Sequence, residues 1–391
     1  TEPPASPVGA SHRRHRKVPA GEVSTMSQAT GARSSHGLLQ PGLGLAALAA
    51  VLVLSFAVMA ACPPDVFNSW VAFLVMAIIP SQIVCALVWR CEHPAALGKL
   101  PQPLKALAFL ALCAGLGGVA ALASFYLVGG ATSPPGPPLI MFVILSIVVT
   151  FWYAIVWGAW PFSALPIGPV ASGVLGVAFC YLVAYGLFHL LFDFSFMKGA
   201  PVYSEATDPH GAFMAWRPLA FGVTTVAVIT FLVLCEFRPV SLIGAKPGSP
   251  TFGLAASAYV LLLASAVFYA GVQIAGMDLV QYLVGIPVPF IFGFFIVASL
   301  LEKCPAAHMR QPLSGPVLAL IAAAAGLAMH EIYFRAAPIL TGRTLPSGPP
   351  AYVLELWLAT AMLAVTFPLI VVAADFLGFW PLRRARPGSA A

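Results

Sequence analysis

The sequence predicts an all-α polytopic membrane protein of about ten transmembrane helices. Three observations lead there: the composition, the length of the apolar runs and the placement of the basic residues. Of 391 residues, 60% are hydrophobic and 8% are charged, whereas a soluble domain carries roughly 25% charged residues. The mean hydropathy is +0.94, which excludes an ordinary water-soluble domain. A helix crosses a hydrocarbon core of ~30 Å with about 20 apolar residues. Runs of that length without polar alternation fit helices and not barrel strands.

Each span is bounded by Pro, Gly or charged residues. The first, Leu43–Cys62, lies between Pro41-Gly42 and Pro63-Pro64, and the second, Val66–Val88, stops before Arg90. The third, Leu104–Val128, opens after Pro103 and closes on Gly129-Gly130; the fourth, Pro138–Trp160, ends at Pro161. The fifth, Val170–Phe194, follows Gly168-Pro169, and the sixth, Pro218–Cys235, runs from Arg217 to Glu236. The seventh, Phe252–Ile274, follows Pro250; the eighth, Val280–Leu301, lies between Asp278 and Glu302. The ninth, Pro316–Phe334, stops before Arg335, and the tenth, Tyr352–Leu377, lies between Pro349-Pro350 and Gly378.

Loops rich in Lys and Arg stay in the cytoplasm. With both termini inside, the cytoplasmic segments hold every Lys and Arg except Lys198, Arg217, Arg335 and Arg343, which is fifteen of nineteen. The net charge of +6 therefore belongs to a basic rim suited to anionic headgroups and not to a nucleic-acid surface. The expected location is the cell (inner) membrane, multi-pass. Residues 1–38 are polar and rich in Ser, Gly, Arg and His, which predicts a disordered basic cytoplasmic tail. The transmembrane domain covers 39–382, and 383–391 form a second basic tail. The first residue is Thr1, and Met26 is a candidate initiator that leaves the first span intact. The seven cysteines form no C-x-x-C pair, so neither a thiolate metal centre nor a disulfide framework is expected.

The chain also carries a weak internal match. Leu74-Val75, Pro80 and Gln102-Pro103-Leu104 correspond to Leu283-Val284, Pro289 and Gln311-Pro312-Leu313 at a constant displacement of 209, and Trp160-Pro161 corresponds to Trp380-Pro381 further on. This predicts a parallel duplication of a four-helix unit, spans one to four (about 42–162) and seven to ten (about 252–382), with linking helices over about 168–236.

An ionisable side chain within a bilayer costs about 2.5–3.5 kcal/mol on insertion scales, so each is a functional candidate. The predicted topology gathers these groups on the outer side. His189 and Asp193 are four residues apart, a spacing that shares one helix face and lets a carboxylate hold an imidazole. His330 and Glu331 are adjacent and diverge by about 100°. Glu331 has Arg335 at i+4 as an ion-pair partner, which leaves His330 to face inward. The expected substrate or proton site is His189, Asp193, His330 and Glu355 with Asp278, and no metal-binding motif is present. Pro80, Pro287, Pro289 and Pro368 lie within spans and predict helix breaks that free backbone carbonyls. The outer loop from Ser195 to Trp216 carries Lys198, Glu205, Asp208 and His210 and is long enough to act as a lid or partner contact.

The expected function is a transporter or permease for a small, weakly polar or hydrophobic solute, proton-coupled through the outer cluster. Two alternatives stand beside it. One is a membrane subunit of a redox enzyme, binding haem, metal or quinone with His189 and His330 as ligands. The other is an intramembrane enzyme on a lipid-linked substrate, with the outer acids and His189 as general acid and base. The cofactor is unspecified; the partners are the lipid bilayer, a small-molecule substrate and a candidate protein subunit.

Overall fold

The computed structural model describes residues 38–383 apart from 202, 245, 247 and 305. The expected tails lie outside these residues except for Leu38 and Arg383. Ten helices are long and apolar enough to cross a membrane: α1 (Gly42–Ala61), α2 (Pro64–Val88), α3 (Leu104–Leu127), α4 (Pro137–Val156), α5 (Pro169–Leu191), α6 (Trp216–Leu234), α7 (Pro250–Ile274), α8 (Leu279–Leu300), α9 (Ser314–Thr341) and α10 (Val353–Phe376). Each expected span is present. The largest boundary difference is in α9, which continues past Phe334 for about two more turns. There, Glu331 and Arg335 form the expected i,i+4 ion pair on its exposed face.

The even-numbered helices are the core. In their most apolar stretches 61–67% of residues are buried, against 28–33% in the odd-numbered helices. Contacts close the even helices into a ring in the order α2, α4, α6, α8, α10 and back to α2. Each odd helix lies outside this ring against two inner neighbours: α3 on α2 and α10, α5 on α4 and α2, α7 on α6 and α4, α9 on α8 and α6, α1 on α10 and α8. The fold is thus five antiparallel helix pairs around one axis. All inner helices start at the same end of the ring, termed here the N-end.

The local chemistry repeats with the pairs. At the C-end, inner helices finish on two successive left-handed residues: Arg90-Cys91, Gly158-Ala159, Glu236-Phe237, Glu302-Lys303 and Gly378-Phe379. The turn is closed by bonds such as Cys91 N to Cys85 O, Ala159 N to Tyr153 O, Lys303 N to Val297 O and Phe379 N to Ala373 O. These satisfy carbonyls that a helix end leaves without partners. Outer helices supply more. Gln40, Gln102 and Gln311, just before α1, α3 and α9, donate side-chain N–H groups to Leu300 O, Phe376 O and Leu234 O.

Close packing rests on small residues, as it must where lipid removes the hydrophobic drive between helices. A Cβ on Gly293 would lie 1.8 Å from Ala322 O, and one on Gly326 1.9 Å from Pro289 O, so α8 and α9 interlock backbone to backbone. Gly117 meets Ile78 in the same manner, whereas Gly115 and Gly118 face open space.

The prolines behave in three ways. Helix α8 breaks at Ile286 (φ −119°, ψ −74°) immediately before Pro287, with Pro289 in the restarted helix. Pro368 follows a π-helical segment over Thr360–Thr366, which accommodates its missing N–H. Pro80 sits inside a continuous helical segment, Ala72–Ile83, and breaks nothing.

Candidate functional site

A cavity of about 80 Å³ lies on the ring axis, lined by all five inner helices. Helix α2 contributes Met76 and Ile79; α4, Ile144, Ile147, Val148 and Phe151; α6, Leu219, Val223 and Val226. Helix α8 adds Leu283, Val288, Ile291 and Phe295, and α10 adds Ala359, Leu363 and Phe367. The i, i+4, i+8 spacing of the α10 residues is one helical stripe turned to the axis. Every lining side chain is apolar, so the space has no polar partner to hold a water molecule. Phe295 and Phe367 pack with ring centroids 4.3 Å apart, and Phe151 lies 6.1 Å from Phe295. Contributed by three different inner helices, these rings form an aromatic plug.

Above Ala359 on the α10 stripe, one turn toward the N-end, stands Glu355. It is 6% exposed. One carboxylate oxygen accepts bonds from the Ser347 hydroxyl and, at 3.0 Å, from the Gly348 N–H. The other oxygen is buried with no partner. In the ring neighbour α2, Asn68 has a buried side-chain oxygen that is likewise unpaired, and it precedes Met76 by two turns. Unsatisfied polar atoms of this kind cost about 1–3 kcal/mol each and mark strained or functional positions.

Asp278 caps α8, accepting from the N–H groups of Val280 (2.9 Å) and Gln281 (3.3 Å). Its second oxygen accepts from the Tyr352 hydroxyl at 2.9 Å. Burial and this bond push the Tyr352 hydroxyl up to about 12. Tyr352 in turn packs edge-on against Trp216 at 6.2 Å. The starts of α6, α8 and α10 are thereby joined, and Asp278 and Glu355 are brought to one corner of the N-end.

The remaining predicted residues do not join them. Helix α5 ends at Leu191, and Phe192–Asp193 (β1) pairs in parallel with Phe213–Met214 (β2). The i,i+4 geometry expected of His189 and Asp193 therefore does not form. His189 is exposed and packs on the Tyr185 and Phe188 rings of its own helix at 4.5 and 5.9 Å. Asp193 instead faces His210, with Oδ1 3.9 Å from Nδ1. The hydroxyl and N–H of Ser195, followed by His210, hold its carboxyl below the ordinary range. His330 is half-buried on α9. Since α5 and α9 belong to different sectors of the outer ring, His189 and His330 do not converge as a ligand pair.

Sequence reasoning missed Phe151, Phe295, Phe367, Tyr352 and Ser347. The phenylalanines carried no signal among 27 in the chain. Tyr352, next to Pro349-Pro350 and three residues before Glu355, was within reach as a hydroxyl near two acids. Comparison with protein-family models, curated proteins and solved structures finds no match to this chain.

Proposed function

We propose that the protein is a permease whose passage is the axis of the inner ring, taking a small, weakly polar or apolar solute. The observation that carries this reading is the apolar cavity lined by all five inner helices and plugged by Phe151, Phe295 and Phe367. An apolar constriction of this kind gates by dewetting: it stays closed to water and ions until the ring side chains move. Glu355, at the N-end of the same stripe with one bare oxygen, is the group through which proton coupling would run. Asp278 and Tyr352 hold the helix starts around it; His189, His330 and Asp193 lie outside this route.

The orientation that suits the basic residues places the N-end outside and both termini in the cytoplasm, in the inner membrane. The repeat unit is the helix pair, and the sequence displacement between spans one to four and seven to ten corresponds to three pairs. Support comes from the left-handed C-end turns and the glutamines at equivalent places.

Liposome flux tests the passage. Ile147→Trp fills the axial space and should reduce solute flux to that of empty liposomes. Glu355→Gln, which keeps the shape, should leave flux but remove its pH dependence. Wild-type flux in a folded Ile147→Trp protein would end the axial reading, and an unchanged pH profile in Glu355→Gln would end the role of that carboxylate.

A further inference from the structure

The loop joining α5 to α6 holds a second group of polar side chains, away from the axis. Asp193, Asp208 and His210 each turn one donor atom toward a common point, all within 4.8 Å of one another. The Nδ1 atom of His210 lies 3.5 Å from Asp208 Oδ2 and 3.9 Å from Asp193 Oδ1. Its other nitrogen, Nε2, lies 3.1 Å from Glu205 Oε1. With its proton on Nε2, beside Glu205, a neutral ring would present its Nδ1 lone pair to two carboxylates. Asp193 Oδ1 also accepts from the Ser195 N–H and hydroxyl, and Asp208 Oδ2 from the Tyr203 hydroxyl; three electron-rich atoms facing one point still favour a positive charge between them, either a proton on the ring or a cation.

The surrounding loop is built to hold the donors. Asp208 has a side chain only 1% exposed. Its Oδ1 accepts from the N–H groups of Phe194 and His210, both at 3.0 Å, while Oδ2, which accepts from the Tyr203 hydroxyl at 3.1 Å, is turned to the imidazole. The β1–β2 pairing and the 2.7 Å bond from Gly211 N to Phe192 O fix Asp193 beside the 208–211 turn. A Cβ on Gly211 would fall 2.4 Å from Phe192 N, so only glycine allows this approach. Donors about 2.0–2.2 Å from a divalent ion stand ~2.9–3.6 Å apart at right-angled to tetrahedral geometry. The 3.5 Å separation fits, and the 3.9 Å separation closes with a shift of a few tenths of an ångström.

We propose that Asp193, Asp208 and His210 bind one divalent first-row cation, with Glu205 orienting the imidazole through its second nitrogen. Two carboxylates and one imidazole, with no thiolate, suit Zn²⁺ or Mn²⁺ over Cu⁺, and the imidazole disfavours Mg²⁺ and Ca²⁺. The carboxylate on the far ring nitrogen is the usual partner of a ligating histidine. The ion would pin the end of α5 to the turn before α6.

The test is calorimetric titration of the purified full chain in detergent with ZnCl₂ and MnCl₂, with MgCl₂ as the competitor. The result expected is one Zn²⁺ per chain, bound at least roughly tenfold more weakly in Asp193→Asn and in His210→Gln. His189→Gln should bind as the wild type does. Asn at 193 keeps an oxygen for Ser195, so thermal unfolding without metal should be unchanged in that variant and separates lost ligation from a lost loop. Failure of the wild type to take up stoichiometric Zn²⁺ or Mn²⁺ overturns the proposal. So does wild-type affinity in both ligand variants, or equal displacement by Mg²⁺. The readout is independent of solute flux, so neither outcome bears on the axial passage.

Discussion

Tyr352 ties three helix starts together through one hydroxyl and one ring, and its ionisation offers a direct probe of that corner. Its hydroxyl is pushed up to about 12 in the fold, above the ordinary tyrosine value of about 10. A group raised in this way stabilises the fold fully below its unfolded value and loses that contribution as pH rises through the folded one. Thermal unfolding should therefore fall between about pH 10 and pH 12, and Tyr352→Phe should flatten that fall. Equal alkaline loss in both proteins would show that the bond to Asp278 carries no weight. At this scale the sequence was only partly legible. Asp278 and Glu355 stood out because charges are rare in the chain, and the Glu331–Arg335 pair followed from spacing alone. The link between His189 and Asp193 failed because Phe192 and Phe194 prolong the apolar run while the backbone has already left the helix. Hydropathy does not register that Gly211 lets a strand form there.

Among elements, the α8–α9 contact is the tightest backbone approach described. Gly326→Val should clash with Pro289 O and lower thermal stability by at least the ~1–3 kcal/mol typical of overpacking. Gly118→Val, on a face with open space, should melt with the wild type. Identical melting of the two variants would refute the interlock. Helix lengths were legible because the bilayer thickness dictates them, and so was the break at Pro287. Pro80 shows the limit of that rule: a lone proline can sit in a helix when neighbouring helices pack around the gap, whereas Pro287 follows Gly285 and is joined two residues on by Pro289.

For the whole molecule, the ring was not legible. Inner helices have peak hydropathies of 1.8–2.7 and outer ones 1.8–2.5, so the two classes overlap. The physical reason is that lipid is as apolar as the protein core, and a helix facing either needs the same residues. The sequence match at a displacement of 209 spans six helices, which is three of the proposed pairs, and no match at the interval of a single pair stood out beside it. The proposed sidedness rests on charge and has its own check. Reporter fusions at residues 205 and 343 should read outside, and those at 98 and 308 inside; any reversal would exchange the two ends of the ring.

The central claim is that the ring axis is the passage and that the aromatic plug closes it. Its most direct test is stopped-flow permeation of formamide, urea and glycerol into liposomes carrying the Phe295→Ala/Phe367→Ala double variant. Removing these two closely packed rings should raise permeation of the smallest solutes at least roughly tenfold over wild type, the scale of a barrier lowered by about 1.4 kcal/mol. A folded double variant that stays as tight as the wild type to all three solutes would contradict the claim.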